Sequence, residues 1–209
     1  LLERRALGVY VVTSAGLVPR RTHLDVAVAA IAGGATAIQV RAPELDRDRV
    51  ASLAGELVEP CARAGVLLVV NDRVDVAAEL GLAAHVGQGD DPRRARELLG
   101  PDAILGVSVE DVAEALAAAD LGADYLGVTV WATPTKPQAR PRGLDGLRAV
   151  AGAVDLPVVA IGGIDAGNAR AVLDAGAAGV AVVSAVGAAE DPVGATRGLV
   201  AIVGARRVA

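Results

Sequence analysis

The stretch PVVAIGGIDAGNARAVLDAGAAGVAVVS, residues 157–184, reads as one complete structural unit. A β-branched apolar run at 157–163 ends in a glycine pair, a segment of helical spacing follows at 168–177, and a second apolar run occupies 178–184. Neither run alternates apolar with polar residues. Strands that read as continuous apolar runs belong to parallel sheets whose outer faces are covered by helices, because both faces of each strand are then buried.

The same pattern recurs outward from this unit. Strand-like runs at 8–14, 36–41, 66–72, 83–88, 103–109 and 124–130 bring the total to eight. Ala/Leu/Arg/Glu-rich segments of helical spacing lie between them, among them 24–34, 46–65 and 109–122, and several end in Gly, where a left-handed C-cap is expected. Eight strand–helix repeats in 209 residues predict an α/β fold, a (β/α)8 TIM barrel built as a single domain over residues 1–209. An open doubly wound sheet is the main competitor, but the first strand is not followed by a GxGxxG turn.

Composition narrows the function. A formal charge of −5 argues against nucleic acid or an anionic membrane as partner, since both require basic surface. A small ligand held by a few local cations fits better. Cys61 is the only cysteine, which excludes an intrachain disulfide framework and a thiolate zinc cluster and fits a cytoplasmic setting. The N-terminal LLERRALGVYVV lacks the order of a secretory signal. Amphipathic barrel helices are compatible with a homo-oligomer and with a monomer alike.

In such a barrel the active site lies at the C-terminal ends of the strands. Polar residues gather there: Gln39 and Arg41 after the second strand, Asn71 and Asp72 after the third, Gln88 and Asp90 after the fourth, Ser108 on the fifth. Thr133, Thr135 and Lys136 follow the sixth, Gly162 and Gly163 the seventh, Ser184 the eighth. Asn71, Asp72 and Asp90 also read as helix caps, Asp90 because Asp91-Pro92 follows it. Together, however, two carboxylates on adjacent strand ends with Asn and Gln beside them form a hard-oxygen site suited to Mg2+ and open to substrate phosphates, with Mn2+ an equal match for the oxygen ligands. The glycine pair of AIGGI with Ser184 matches the phosphate cradle of many barrels. His23 and His85 have no partner at metal-ligand or triad spacing and read as structural. Lys136 is the only lysine of the chain, every other long cationic side chain being Arg; a compact charge on a flexible stem reaches a single phosphate oxygen from a loop where a guanidinium fork does not fit.

The motifs QVR (39–41), NDRVDVA (71–77), HVGQGD (85–90), GVSVE (106–110), TPTK (133–136), AIGGI (160–164) and VVSA (182–185) resemble, in this order and over nearly the whole chain, those of the thiamine-phosphate synthase family. The resemblance implies a transferase that condenses 4-amino-5-hydroxymethyl-2-methylpyrimidine diphosphate with 4-methyl-5-(2-phosphoethyl)thiazole, giving thiamine phosphate and diphosphate. It implies that Asp72 and Asp90 hold Mg2+, that Gln39, Arg41, Asn71, Ser108 and Lys136 hold the pyrimidine diphosphate, and that Arg41, Ser108 and Lys136 act in catalysis. Thr133, Thr135, Gly162 or Gly163, and Val183-Ser184 would hold the thiazole phosphate.

The chain departs from the family pattern in three places. Pro43 stands where the family has a lysine, which makes Arg140 or Arg142 the candidate replacement cation. Thr129-Val130 replaces a Gly-Pro-containing stretch in a segment one residue shorter, and Leu82-Ala83 replaces Asp-Gly. These departures keep two alternatives open: a thiazole tautomerase-like enzyme of the same branch, against which Asp72, Asp90 and Lys136 argue, and a non-catalytic phosphate-binding paralogue.

Overall fold

The structure is a computed structural model that describes residues 4–133 and 140–205. A single 3-10 turn, Arg4–Leu7, leads into eight strands: β1 (Val9–Val12), β2 (Ala37–Val40), β3 (Leu67–Asn71), β4 (Ala83–Val86), β5 (Leu105–Val109), β6 (Tyr125–Thr129), β7 (Val158–Ile161) and β8 (Gly179–Val182). All pair in parallel and in chain order, and β8 returns to β1 to close the barrel. The expected (β/α)8 fold is the observed one.

Helices α1 (His23–Ala32), α2 (Arg47–Ala64), α3 (Val74–Leu80), α4 (Pro92–Leu99), α5 (Val112–Asp120), α6 (Gly143–Ala153), α7 (Ala169–Asp174), α8 (Ser184–Gly187) and α9 (Pro192–Ala205) surround it. Their ends follow local chemistry. The Thr22 hydroxyl accepts from Asp25 N–H while the Asp25 carboxylate accepts from Thr22 N–H, a closed capping box that starts α1. Asp46 accepts from Arg49 N–H to start α2, and Gly65, at φ +65°, ends it in the left-handed cap that the sequence predicts. Gly33 after α1 is different: its φ of −80° is right-handed. The absence of a side chain serves close packing there, because a Cβ at Gly33 would strike Thr196 of α9 and, at 2.8 Å, the Val193 carbonyl.

Two apolar layers result. The larger lies between strands and helices and includes the fully buried Leu57, Leu126, Leu147 and Leu173; burial of each such side chain stabilises by about 1.5–3 kcal/mol. The smaller fills the barrel itself, with Leu7, Tyr10, Ala37, Val69, Ala83, Tyr125, Val159 and Ala181. Seven of these eight sit on strands, and they alternate with outward-facing neighbours, so the continuous apolar runs of the sequence supply two different cores at once.

Barrel closure is tightest at Gly179, where a Cβ would run into the carbonyl of Leu7 in the entering turn. Gly198, inside α9, has nothing within 4 Å of the corresponding position. Gly179→Ala is therefore expected to destabilise the fold by at least about 1–3 kcal/mol through overpacking against backbone. Gly198→Ala is expected to stabilise it by up to about 1 kcal/mol through helix propensity. Urea denaturation of both variants checks the contrast.

Candidate active site

The inward-facing positions continue past the apolar floor, and as the strands reach their C-terminal ends they turn polar. They line a cavity of about 650 Å³ at the mouth of the barrel. Gln39 and Arg41 lie two residues apart at the end of β2, Asn71 ends β3, and Ser108 faces inward from β5; all four line the cavity, as do Asp72, Asp90, Thr133, Gly162, Gly163, Val183 and Ser184. Thr135 and Lys136 lie outside the described residues.

Asp72 and Asp90 overhang the same point. A Cβ built on Gly87 would sit 3.6 Å from Asp90 Oδ2 and 3.9 Å from Asp72 Oδ1. The bare backbone of Gly87 thus leaves room between the two carboxylates, and its N–H donates to Asp90 Oδ2 at 2.9 Å. Neither residue acts as the cap that its position in the sequence allows. Arg73 occupies the N-cap of α3, and Asp91 caps α4 by accepting from Arg93 N–H. Asp72 instead adopts φ +60°, a left-handed conformation that costs a residue with a Cβ roughly 1–2 kcal/mol and is least unfavourable for Asn and Asp. Its N–H donates to the carbonyl of His85 at 2.9 Å, which ties the turn after β3 to β4. Among the described residues no group of three His, Cys, Asp or Glu side chains converges. The donor set is therefore two carboxylates, which fits a hard cation whose remaining positions go to water and phosphate oxygens.

Opposite the carboxylates, the turn after β7 places Gly162 at φ +98° and Gly163 at φ +64°. A side chain at Gly162 would come within 2.5 Å of the Trp131 carbonyl, so strain and contact both require glycine there. Asn168 holds the turn: its Nδ2 donates to the Gly163 carbonyl at 2.8 Å and its Oδ1 accepts from Asp165 N–H at 3.0 Å.

Between the two rims lies a polar floor, of which Gln39 and Ser108 were expected from the sequence and Tyr10, Tyr125 and His85 were not. Gln39 Nε2 donates to Tyr10 Oη at 2.8 Å, the Tyr10 and Tyr125 hydroxyls stand 2.9 Å apart, and His85 bridges Tyr125 Oη (Nδ1, 3.1 Å) to Ser108 Oγ (Nε2, 2.9 Å). Burial raises the pKa of both phenols and keeps them neutral. His85, read from sequence as structural, lines the cavity. A signal was present: Tyr10 and Tyr125 are the only tyrosines of a chain without Phe, and both stand inside strands.

His23 does have a structural setting. It is buried, with Nδ1 2.9 Å from Thr13 Oγ1 and Nε2 2.6 Å from Glu44 Oε1, and Thr13 Oγ1 accepts from the Arg41 N–H at 3.2 Å. Burial pushes the Glu44 carboxyl up, but the His23 contact and the nearby Arg41 charge outweigh it and hold Glu44 below the ordinary carboxylate range.

The two cations proposed to replace the lysine missing at Pro43 separate. Arg142 does not line the cavity; its Nη2 donates to Glu110 Oε2 at 2.6 Å just beyond β5, and its backbone N–H donates to the Thr129 carbonyl at the end of β6. Arg140 lines the cavity, is 78% exposed and lies 3.8 Å from Glu110.

Residues 9–186 match the family model described as thiamine monophosphate synthase. The thiamine-phosphate synthase of Chloroflexus aurantiacus is 52% identical over 93% of this chain and 91% of its own length. That of Methanocella arvoryzae is 47% identical over 95% and 96%. The solved thiamine phosphate pyrophosphorylase from Pyrococcus furiosus superposes with a TM-score of 0.88 at 40% identity, covering 97% of this chain and 98% of that one. The chain belongs to the thiamine monophosphate synthase family.

Proposed function

We propose that the cavity joins 4-amino-5-hydroxymethyl-2-methylpyrimidine diphosphate to 4-methyl-5-(2-phosphoethyl)thiazole, releasing diphosphate and forming thiamine phosphate. One observation carries this arrangement: a single cavity has a carboxylate pair on one rim, a glycine turn suited to phosphate on the other, and a hydrogen-bonding floor between them. Relatives named thiamine-phosphate synthase align over more than nine-tenths of the chain, which weighs against the tautomerase-like and non-catalytic alternatives.

The chemistry asks little of proton transfer. The carbon–oxygen bond to diphosphate breaks early, leaving a pyrimidine-stabilised cation whose methylene carbon the thiazole nitrogen then bonds, and the negative charge that develops sits on the departing oxygens. Groups fixed in advance where that charge appears lower the barrier most. Asp72 and Asp90 would hold Mg2+, which when bound neutralises and orients the diphosphate. Arg41 and Lys136 supply cationic contacts to it, with Asn71 and Ser108 as neutral donors. Gln39 faces the pyrimidine. Thr133, Thr135, Gly162, Gly163, Val183 and Ser184 hold the thiazole phosphate, so that the ring nitrogen and the methylene carbon meet over the floor.

Arg140 is the replacement for the cation that Pro43 removes. Being mostly exposed, it contributes less than a buried charge does.

Diphosphate release is expected to require both substrates together. Asp72→Asn keeps a residue that tolerates the left-handed turn and removes only charge; it should lower kcat by roughly a hundredfold while leaving the melting temperature nearly unchanged. Steady-state assay with each substrate omitted in turn, beside thermal melts, checks both. Full activity in Asp72→Asn, or release without the thiazole phosphate, would overturn the assignment. Arg140→Ala should weaken diphosphate inhibition about two- to fivefold at low salt and less at high salt, as expected of a screened contact worth under ~1 kcal/mol. Glu110→Ala leaves Arg142 without its carboxylate and should instead cost about 1–3 kcal/mol of stability in urea denaturation.

A further inference from the structure

We propose that Gln39, Tyr10, Tyr125 and His85 form a hydrogen-bond chain of fixed direction that holds His85 as its neutral Nε2–H tautomer and presents Ser108 to the cavity as a hydrogen-bond donor. His85 and Tyr125 are positioning residues in this scheme, and it rests on the reading above that Ser108 meets the pyrimidine diphosphate.

Direction follows from counting hydrogens. Gln39 turns its amide nitrogen, a donor only, toward Tyr10 Oη at 2.8 Å. The single hydrogen of the Tyr10 hydroxyl must then go elsewhere, and Tyr125 Oη lies 2.9 Å away. The Tyr125 hydrogen is in turn directed to His85 Nδ1 at 3.1 Å. An imidazole that accepts at Nδ1 carries its proton on Nε2, and that N–H meets Ser108 Oγ at 2.9 Å. Ser108 thus receives a hydrogen bond from below while its own hydrogen remains available to an acceptor in the cavity it lines. Reversing the chain would drive the Tyr10 hydrogen against the Gln39 amide hydrogens. With Tyr10 2% exposed and Tyr125 fully buried, water does not rescue a broken link.

The barrel makes room for this chain at a cost to its strands. Gly106 and Gly127 stand in the interiors of β5 and β6, where glycine weakens a strand. A Cβ at Gly106 would strike the Tyr125 ring and hydroxyl, and one at Gly127 would come within 3.1 Å of His85 Cε1. Both absences of a side chain open space for the Tyr125–His85–Ser108 segment.

The amide side chains discriminate direction. Gln at position 85 places its amide nitrogen near the position of Nε2, whereas Asn places it near Nδ1. His85→Gln is expected to keep the KM for the pyrimidine diphosphate within about threefold. Loss of one hydrogen bond to a charged ligand predicts about a tenfold rise in His85→Leu, His85→Asn and Tyr125→Phe, with the KM for the thiazole phosphate unchanged. Nitrogen-15 spectra of the histidine-labelled protein alone, in which His85 is assigned against the one other histidine, His23, by its loss in His85→Gln, should show Nε2 protonated and Nδ1 bare. In Tyr125→Phe that pattern should be lost. A proton on His85 Nδ1, or a folded His85→Gln as impaired as His85→Leu, would overturn the proposal. Because the spectrum needs no substrate, failure of the tautomer assignment is separable from failure of the synthase reading.

Discussion

Closing eight parallel strands fixes an interior of set radius, and that interior has to be filled. This chain has no Phe or Met and a single Trp, Trp131, which packs against the outer core beyond β6. The volume falls to Tyr10 and Tyr125, whose rings stand 6.1 Å apart at a 53° tilt amid Ala and Val. Much else follows from that choice. Two large rings require that Gly106 carry no side chain, and two buried hydroxyls require hydrogen-bond partners, because an unpaired one costs roughly 1–3 kcal/mol. Gln39 on one side and His85 on the other provide them, so the core of the barrel ends in the floor of the cavity with no boundary between packing and polar recognition.

Along the barrel axis the two tasks nevertheless separate. Around the tyrosines, Leu7, Ala37, Ala83 and Val159 are apolar, and the loops leading into the N-terminal ends of the strands are held by guanidinium forks. Arg96 is the clearest of these, reaching the carbonyls of Gly100, Ala103 and Gly122 and the carboxylate of Asp124, which in turn accepts from Leu105 N–H at the start of β5. A point charge on a lysine stem cannot span so many acceptors in one plane. Above the tyrosines, the strand ends carry Arg41, Asn71, Ser108 and Glu110, and the turns beyond them carry Asp72 and Asp90.

The strands and the barrel were legible in the sequence because helices bury the outer faces and side-chain packing fills the inner ones, which makes each strand apolar throughout. The same property concealed which residues face inward. In AAHVGQ nothing marks His85 as an inner position, yet the register that pairs it with Asn71 and Gly106 points it into the barrel. The carboxylates were legible as types at strand ends. Their convergence over Gly87 and the left-handed backbone of Asp72 were not, since positive φ at a non-glycine residue leaves no local trace. Arg140 and Arg142 were indistinguishable two positions apart; the structure separates them, Arg142 pairing with Glu110 at 2.6 Å while Arg140 stands 3.8 Å from it and lines the cavity.

The distribution of charge across the site follows from dielectric. Ionic groups belong at the rim: Asp72, Asp90 and Arg140 are exposed, so each keeps its hydration until a ligand replaces it. A charge among the buried tyrosines would lose its hydration without compensation, which is why the phenols titrate far above neutral pH and stay protonated. Dipoles of fixed orientation bear no such penalty, and they still distinguish a donor edge of a ligand from an acceptor edge. On the proposed function, two rings, each held at one rim by its single anionic group, would meet over a floor that reads them by dipoles and not by net charge. In that reading affinity would be set at the rim by charge, and orientation at the floor by the direction in which Gln39, the two tyrosines and His85 point their hydrogens.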